Sequence, residues 1–578
     1  MVFLPRKHLG SIPDNIPISE FMLNEKYGRV PHDQSRDPYT CGLTGKTYSS
    51  QEMVDRVDFI TRGLSKELGW VPSSGSEWDK TVVVFSLNTI DTMMLIWAIH
   101  QLEGVVAPAS SSYSANELKH QLLDCKAKVL FTCVPLLPIA LDAAAKAGFS
   151  KDRIYLIDVP QQILGGTKPP SELKSLSQIA QAGKSLPPAE PVQWGLGEAA
   201  RRTAFLCYSS GTSGLPKGVM ISHRNVIANI LQTTTFEQDY RDAQPQPANG
   251  LYTEIGQCLL PQSHIYSLVV VCHSGTYRGD QTVVLPKFDM NSYLASIHRF
   301  KITSLFLVPP VIINMMRNQK LCSEYDLSSV KSIFSGAAPL ALELANDFLK
   351  IYPDVSIRLA YGLTETACVV SSSHPHDIWL GSSGSLFPGV EARIMSPDGQ
   401  EIITYDTPGE LLVRSPSVAL GYLSNEKATK ETFQNGWMRT GDEAIVRISP
   451  SGTEHIFIVD RIKELIKVKG LQVAPAELEA HLLAHPDVAD CAVVGIPDDT
   501  AGEVPKAIIV KSPFASSDDE AAIRVISKFV QDNKARHKWL KGGIRFVDDI
   551  PKSPSGKILR RFIRDQEKEL RRKAGAKI

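Results

Sequence analysis

The segment from Thr81 to Ile157 alternates short apolar runs with amphipathic stretches, and this alternation constrains the fold more than any other feature. Apolar runs of this length predict buried strands, and the amphipathic stretches between them predict helices. We expect strands at residues 81–85, 104–107, 128–132 and 153–157, and helices at residues 91–102, 116–125 and 136–148. Strands that alternate with helices form a largely parallel sheet covered on both faces. The sequence therefore predicts a doubly wound α/β layer.

A loop rich in glycine and hydroxyl side chains lies between two further predicted strands, at residues 204–208 and 219–221. Glycines let backbone N–H groups turn toward an anion, and hydroxyl groups and a lysine add donors. The residues suited to grip a polyphosphate are Ser209, Ser210, Gly211, Thr212, Ser213, Gly214 and Lys217. A P-loop would instead place its Gly-Lys-Ser/Thr at the start of a helix. The segment predicts a triphosphate-binding flap, with a plain Gly/Ser hairpin turn as the alternative.

Length and charge bound the class of protein. The 578 residues exceed one ordinary core and indicate three or four structural units. Lys+Arg and Asp+Glu each number 62, and 7% of the residues are aromatic, which argues against a nucleic-acid binder. The nine cysteines include no C-x-x-C pair, so neither a disulfide framework nor a zinc site is indicated. With no apolar leader and no run long enough to span a membrane, we expect a soluble intracellular protein with small-molecule partners.

The character of the chain changes around Asp460, where a strand at residues 456–459 is followed by four basic residues. We therefore place a domain boundary here, which divides the chain into residues 1–459 and 460–578. The second part is expected to hold a helix from Pro475, strands at residues 489–494, 507–510 and 544–547, and a solvated final helix at residues 558–573. In the first part, residues 160–191 and 238–249 are rich in polar, Gly or Pro residues and are expected to be surface loops.

Five segments besides the flap carry a family resemblance. They are residues 334–340, 361–366, 439–442, 460–470 and 551–560, in that order along the chain. With the flap, they resemble the motifs of the adenylate-forming enzymes, and within that superfamily the acyl-CoA synthetases similar to 4-coumarate:CoA ligase. The resemblance runs over almost the whole chain. It implies a large α/β N-terminal domain with doubly wound sheets and a small barrel-like part, followed by a small mobile α+β C-terminal domain.

The resemblance also implies a reaction. A carboxylate is a poor electrophile, so the enzyme joins it to the α-phosphate of ATP with release of pyrophosphate, and the thiol of coenzyme A then displaces AMP. ATP, Mg²⁺ and coenzyme A are the expected cofactor and co-substrates, and a carboxylic acid is the expected substrate. Two alternatives within the superfamily pass the acyl group to a separate carrier protein or, as in luciferases, to oxygen. A catalytically silent nucleotide-binding protein is a further alternative, but gaps in the motifs would then be expected.

Family resemblance assigns the nucleotide contacts. The flap would hold the β- and γ-phosphates, and Thr364 would contact the α-phosphate. Thr212 and Glu365 would lie at the metal. The remaining contacts to adenine and ribose would come from Gly336, Ala337, Ala338, Tyr361, Gly362, Asp442 and Arg461.

Lys557 would act in the first half-reaction, because its Ser-Gly loop can carry an ammonium group into a cleft between the substrate carboxylate and the α-phosphate. In the family the C-terminal domain then turns about a hinge, here Asp460. Lys467, Lys469 and Gln472 would replace Lys557 in the second half-reaction. Solvent-facing charge is the alternative for these lysines.

The acyl pocket is assigned in the same way to Tyr266, Val270, Phe334 and Ala360, with His264 as an aromatic gate. The 4-coumarate enzymes usually carry lysine where Phe334 stands and glycine where Ala360 stands. Because Phe334 leaves no donor for a para-hydroxyl group, we expect a medium-chain alkyl or unsubstituted aryl acid. His223 is assigned to a helix cap without a role in the site, and His374 and His376 to the surface.

The sequence ends in Ala576-Lys577-Ile578, which resembles the tripeptide that the peroxisomal import receptor binds. We therefore expect a peroxisomal protein, with an accidental basic tail and a cytoplasmic location as the alternative.

Overall fold

The computed structural model describes residues 2–72, 74–209, 216–247, 250–469, 471–498, 500–513, 515–553 and 556–575. The flap residues 210–215 and the C-terminal tripeptide 576–578 therefore lie outside the described residues. Four hydrophobic clusters are found in the described chain: the largest extends from Phe3 to Ile456, two smaller ones lie between Val83 and Leu206, and the fourth extends from Ile466 to Ile563. The fourth cluster begins at Ile466, ten residues after the largest cluster ends at Ile456.

A nine-stranded mixed sheet forms the centre of the N-terminal part, counted over the described residues. In spatial order its strands are Ser385–Leu386, Cys368–Ser372, Ser356–Leu363, Ser332–Ser335, Ser304–Leu307, Ile255–Cys258, Gln281–Val284, Tyr39–Cys41 and Thr47–Tyr48. The strands from Ser356–Leu363 to Tyr39–Cys41 run parallel, and antiparallel strands are added at both edges.

The predicted α/β alternation forms a second sheet, which has seven strands within the described ranges. In spatial order they are Gly421–Tyr422, Lys217–Ser222, Thr203–Ser209, Val105–Ala109, Thr81–Phe85, Val129–Thr132 and Ile154–Leu156. Strands Thr203–Ser209 and Lys217–Ser222 pair antiparallel on either side of the flap, with Ser209 opposite Lys217. The two strands predicted on either side of the Gly/Ser-rich segment are confirmed.

Two antiparallel-rich sheets complete the described chain. A six-stranded sheet, in the place of the expected barrel-like part, contains Glu401–Ile402, Glu391–Met395, Gly409–Arg414, Trp437–Ile448, Phe433–Gln434 and Glu454–Arg461. The five-stranded sheet of the C-terminal part contains Leu471–Val473, Ile466–Val468, Gly502–Lys511, Val488–Asp498 and Ile544–Phe546.

Helices cover these sheets. Those of eight or more residues are Ser50–Leu68, Thr92–Gln101, Ala115–Asp124, Leu137–Ala147, Leu176–Gly183, His223–Asp242, Met290–Phe300, Pro309–Arg317, Leu342–Ile351, Pro475–Leu483, Asp519–Asn533 and Arg560–Gly575. Shorter helices are Ile18–Leu23, Gln161–Leu164, Glu198–Arg201, Gly275–Tyr277, Gln319–Cys322 and Glu426–Thr432, and Tyr266–Ser274 is a π-helix. Among the described helices, none has the length and apolar character needed to cross a membrane.

Two loop predictions are wrong in part. Residues 160–191 include helix Leu176–Gly183, which buries Leu176 and Ile179. This helix packs so closely on Ser50–Leu68 that a Cβ atom at Gly183 would lie 1.9 Å from the carbonyl oxygen of Phe59. The polar composition of the segment concealed one apolar helix face. Likewise, helix His223–Asp242 continues into residues 238–249.

Candidate active site

The predicted nucleotide segments meet where parallel strands of the nine-stranded sheet end. Gly336, Ala337 and Ala338 follow strand Ser332–Ser335, and Thr364 opens a short 3₁₀ helix after strand Ser356–Leu363. Ligands bind at this edge of open α/β sheets. Gly336 lies against the pocket residues, since an added Cβ atom would be 3.6 Å from the Ala360 oxygen and 3.8 Å from the Tyr266 ring.

Three residues near the same edge have strained backbone. Ala337, Ala367 and Cys368 have φ angles of 66°, 49° and 117°, in a region that residues with side chains rarely occupy. Gly362 is required by close approach, because a Cβ atom there would lie 1.8 Å from the Cys368 oxygen. Strained backbone of this kind persists where the surrounding structure fixes it, and it clusters at functional sites.

A buried carboxylate, Asp442, connects the two sheets at this point. Its Oδ2 accepts a hydrogen bond of 2.6 Å from the Tyr361 hydroxyl, and its Oδ1 lies 3.7 Å from Arg461 Nε. Burial raises the pKa of Asp442, while Arg461, Tyr361 and Lys557 oppose that rise. Tyr361, Asp442 and Arg461, predicted from separate motifs, thus form one cluster.

The described end of the flap contacts a second carboxylate. Glu365 Oε1 accepts hydrogen bonds from Ser209 Oγ at 3.3 Å and from the Tyr422 hydroxyl at 2.9 Å. The Lys217 ammonium group lies 5.0 Å from the centre of the Tyr422 ring. The structure therefore brings Ser209, Lys217 and Glu365 together. Ser210, Gly211, Thr212, Ser213 and Gly214 lie outside the described residues.

The loop of Lys557 reaches this site from the C-terminal part. Gly556 lies against the N-terminal part, since a Cβ atom there would be 3.2 Å from Val308 Cγ2. Burial, together with the positive charge of Arg461, lowers the pKa of Lys557 to about 8, while Glu464, Asp442 and Glu365 act in the opposite direction. A lysine whose charge interacts with two carboxylates of the other part of the chain can stabilise a negative charge that develops at this site.

The side chains of Lys467, Lys469 and Gln472 are exposed. Lys467 and Gln472 face each other across strands Ile466–Val468 and Leu471–Val473. Asp460, the predicted hinge, is buried, and its two oxygens accept hydrogen bonds from the backbone N–H groups of Arg461 and Ala476. In this structure it is Lys557, rather than the hairpin, whose charge acts on Asp442.

An aromatic cluster lies behind Gly336. The rings of Tyr266 and Phe334 are 6.0 Å apart, and Phe306 lies 6.4 Å from Tyr266 and 6.1 Å from Phe334. The Tyr266 hydroxyl donates a hydrogen bond of 2.6 Å to the Phe334 carbonyl oxygen, so it is engaged by the backbone. Val270 is buried on the same π-helix as Tyr266. The predicted pocket residues thus share one apolar region.

His264 lies at the start of this region. Its Nδ1 accepts a hydrogen bond of 3.3 Å from the backbone N–H of Tyr266. Burial, and then the charge of Lys557, lower its pKa to about 4, so the ring is neutral near pH 7. His223 has the predicted structural place: Ser222 and Asn225 cap its helix, and its Nδ1 accepts a hydrogen bond from Ile18.

Two residues of the site, Tyr422 and Phe306, were not predicted from the sequence. Tyr422 contacts Glu365 across 57 positions, and Phe306 meets Phe334 through the pairing of parallel strands. Neither residue stands in a recognisable motif. An expectation from strand order would have found Phe306, because it is directly opposite Phe334 in register.

Comparison with known families agrees with this arrangement. The family model of the AMP-binding enzymes matches residues 32–423, and the model of the AMP-binding enzyme C-terminal domain matches residues 477–557. The chain belongs to the AMP-binding enzyme family. Each part of this enzyme, on either side of Asp460, thus matches its own family model.

Named relatives are similar over nearly their whole length. Acyl-CoA ligase easD of Emericella nidulans is 39% identical over 556 residues, covering 96% of this chain and 97% of the relative. Acyl-CoA ligase AFT1-1 of Alternaria alternata is 39% identical over 567 residues, covering 96% and 95%.

Solved structures share the fold. The anthranilate CoA ligase AuaEII in complex with anthranoyl-AMP aligns with a TM-score of 0.79 at 23% identity, covering 96% of this chain and 98% of that one. ATP-bound MatB from Rhodopseudomonas palustris aligns with a TM-score of 0.77 at 24% identity, covering 96% and 99%. The predicted fold, a large N-terminal domain and a small C-terminal domain of mixed α/β structure, is confirmed.

Proposed function

We propose that this enzyme is an ATP-dependent acid:CoA ligase. A carboxylate oxygen attacks the α-phosphorus of ATP, pyrophosphate leaves, and the sulfur of coenzyme A then attacks the acyl carbon as AMP leaves. One observation carries the proposal: Lys557, from the C-terminal part, lies where its charge acts on Asp442 and Glu365 of the N-terminal part. The full-length similarity to relatives named acyl-CoA ligases supports coenzyme A as the acceptor.

The nucleotide binds between two groups of residues: Tyr361, Asp442 and Arg461 on one side, and Ser209, Lys217 and Glu365 on the other. Asp442 accepts hydrogen bonds from the ribose hydroxyls, with Arg461 beside it and Tyr361 against adenine. Ser209, Lys217 and the flap bind the β- and γ-phosphates. The short hydrogen bond from Tyr361 to Asp442 fixes the ring and the carboxylate relative to each other. Thr364 is assigned to the α-phosphate.

Mg²⁺ fits the oxygen donors at Glu365. The carboxylate of Glu365 and the hydroxyl of Ser209 are hard oxygen ligands of the kind that this ion prefers. In the described part of the chain, no group of three His, Cys, Asp or Glu residues could hold a metal alone. Glu365, with Thr212 of the flap, would therefore hold an ion that is shared with the nucleotide phosphates. When bound, the ion supplies charge stabilisation to the phosphates.

Lys557 acts in the first half-reaction. Its ammonium group binds the negative charge that the substrate carboxylate and the α-phosphate share as the new P–O bond forms. The second half-reaction uses the exposed hairpin with Lys467, Lys469 and Gln472, after the C-terminal part turns about Asp460. The exposure of all three side chains supports a surface that is free to approach the site.

The acyl substrate is a medium-chain alkyl or aryl acid. Phe334, Phe306, Tyr266 and Val270 offer apolar walls, and the Tyr266 hydroxyl is already engaged by the Phe334 carbonyl. A para-hydroxyl group on the substrate would therefore lose its water without gaining a partner, which disfavours hydroxycinnamates. Equal turnover of 4-coumarate and cinnamate would contradict this pocket assignment.

One experiment tests the proposed function directly. The protein is incubated with ATP, Mg²⁺, coenzyme A and a panel of alkyl and aryl acids, and the products are weighed by mass spectrometry. We expect acyl-CoA thioesters with AMP and pyrophosphate. If a well-folded sample forms no thioester and exchanges no labelled pyrophosphate into ATP with any acid, the proposal is wrong. Exchange without a thioester would instead indicate a carrier protein or oxygen as acceptor.

Peroxisomal import is part of the same proposal. Its support is the C-terminal sequence Ala576-Lys577-Ile578, which the import receptor would bind. A fluorescent reporter that ends in the last ten residues should enter peroxisomes, and deletion of Ile578 should leave it in the cytoplasm. A reporter that stays cytoplasmic in both forms would contradict the proposal.

A further inference from the structure

A buried ionic cluster lies between the predicted hinge and the Lys557 loop. We call Asp460, Glu464, Glu479 and Arg560 the hinge cluster. Arg560 Nη1 lies 2.8 Å from Glu464 Oε2, and Arg560 Nη2 lies 2.5 Å from Glu479 Oε2. The three side chains are 11%, 7% and 10% exposed for Arg560, Glu464 and Glu479. One guanidinium group therefore spans two buried carboxylates from different segments.

Two of the three carboxylates of the hinge cluster accept hydrogen bonds from the backbone. Glu479 Oε1 accepts a hydrogen bond of 2.8 Å from Val493 N, and Asp460 Oδ2 accepts one of 3.0 Å from Ala476 N. Burial raises the pKa of both Asp460 and Glu479, and the charge of Arg560 opposes that rise in each case. The cluster has three acidic groups and one basic group, so its stability depends on Arg560.

Arg560 also begins the helix that follows the Lys557 loop. The loop is closed by hydrogen bonds of 2.8 Å from Ser553 N to Lys557 O and 2.9 Å from Leu559 N to Pro551 O. Helix Arg560–Gly575 starts directly after it. The pairs that Arg560 makes therefore tie the base of the loop to the segment that carries the hinge.

Glu464 is a competitor for Lys557. Its negative charge already attracts the Lys557 ammonium group, as do those of Asp442 and Glu365, whereas the positive charge of Arg461 repels it. The charge of Lys557 in turn lowers the pKa of His264. If Arg560 did not occupy Glu464, Lys557, whose charge already interacts with this buried carboxylate, would be a cation available to it. An ion pair between them would withdraw the lysine from the reacting groups.

We propose that Arg560 is a positioning residue for Lys557, which occupies Glu464 and so leaves the lysine free for the substrate carboxylate and the α-phosphate. This inference rests on the proposed function, because it assigns Arg560 to the adenylation half-reaction. Arg560 is assigned no contact with the nucleotide or the acid, because its two terminal nitrogens pair with Glu464 and Glu479.

The test compares two double variants that relieve the same buried charge in different places. Arg560→Gln alone should lower ATP–pyrophosphate exchange with octanoate or benzoate by about 10²-fold, the scale of losing one preorganised electrostatic contact. Adding Glu464→Gln removes the competitor, and exchange should recover at least about tenfold, since one ion-pair contact is worth that much. Adding Glu479→Gln instead relieves a buried charge that is not among those acting on Lys557, so thermal stability should recover but exchange should not.

Two further measurements make the result specific. Transfer to coenzyme A from chemically prepared octanoyl-adenylate does not require Lys557, so all variants should keep this rate within about threefold, the range of minor structural effects. Arg560→Lys, which keeps the charge but lacks the fork, should fall between wild type and Arg560→Gln. If Arg560→Gln alone does not fold, the two double variants still carry the comparison.

Equal recovery of exchange in both double variants, or unchanged exchange in Arg560→Gln, would overturn the inference and leave the proposed function intact. Absence of exchange in the unsubstituted enzyme with every acid would overturn the proposed function and this inference with it.

Discussion

Two buried ionic clusters of this enzyme differ in their charge balance. The wall cluster, behind the aromatic pocket, pairs three arginines with three carboxylates: Arg241, Arg278, Arg358, Glu237, Glu254 and Asp280. The hinge cluster has three carboxylates around Arg560. A balanced cluster can be closed by its own members, whereas an acidic one attracts any cation that comes near. The comparison distinguishes the charges of the wall cluster, which stabilise the fold, from those of the hinge cluster, which influence the position of Lys557.

The wall cluster supports the acyl pocket directly. Arg358 lies 5.3 Å from the centre of the Phe334 ring, and its Nη1 is 2.6 Å from Glu237 Oε1. Glu237 also binds Arg278 Nη1 at 2.5 Å. Although burial acts in the opposite direction, Arg358 and Arg278 lower the pKa of Glu237 to about 2. The charge behind Phe334 is therefore neutralised, which suits an uncharged acyl chain.

The largest expected effect breaks the wall cluster. Glu237→Gln leaves Arg278 and Arg358 without their shared carboxylate, and such a loss costs about 3–5 kcal/mol of folding free energy. Thermal or denaturant unfolding measures it. The matched control is Glu426→Gln, which breaks an exposed pair with Lys430 and should change stability by less than about 0.5 kcal/mol. Equal stability of both variants would contradict the structural role of the wall cluster.

The second prediction removes the moving cation. Lys557→Gln should lower ATP–pyrophosphate exchange by about 10²–10³-fold with little change in unfolding temperature, because the lysine serves the transition state rather than the fold. The control is Lys463→Gln, an exposed lysine of the hinge segment, which should keep exchange within about twofold. Similar losses of exchange in the two variants would show that Lys557 has no specific role and that any lysine of this segment contributes equally.

Much of the fold followed from the sequence, and the reasons are local. The strand at Thr81–Phe85 was predicted from an apolar run and the helix at Thr92–Gln101 from an amphipathic stretch, whereas the flap and Lys557 were predicted from short motifs. Helix Leu176–Gly183 was missed because the segment around it is rich in polar, Gly and Pro residues, although the helix itself buries four of its eight residues. Contacts such as Arg358 with Glu237, 121 positions apart, depend on tertiary structure and leave no local signal.

The third prediction concerns the pH dependence of exchange, which should follow the deprotonation of Lys557. Because the pKa of Lys557 is lowered to about 8, its ammonium form dominates below pH 8 and is lost as the pH rises through that value. Thus kcat/KM for ATP in the exchange assay should fall about tenfold per pH unit above about pH 8. His264, with a pKa of about 4, remains neutral over this range and adds no opposing change.

Lys557→Arg provides the control for this profile. A guanidinium group stays protonated throughout, so the variant should lose rate but show a flatter profile above pH 8. A decline of equal steepness in the variant and in the wild type would assign the titration to another group.

The smallest expected effect lies at Tyr422, which contacts the site without belonging to either cluster. Tyr422→Phe removes the 2.9 Å hydrogen bond to Glu365 but keeps the ring that faces Lys217 at 5.0 Å. Such a bond contributes about 0.5–1.5 kcal/mol, so kcat/KM for ATP should fall roughly 2- to 10-fold. Tyr422→Leu removes the ring as well and should cost more, because the cation–π contact adds about 0.5–1 kcal/mol. If both variants match the wild type, neither the hydroxyl nor the ring of Tyr422 contributes to kcat/KM. The charges of Lys217 and Glu365 would then act without help from Tyr422.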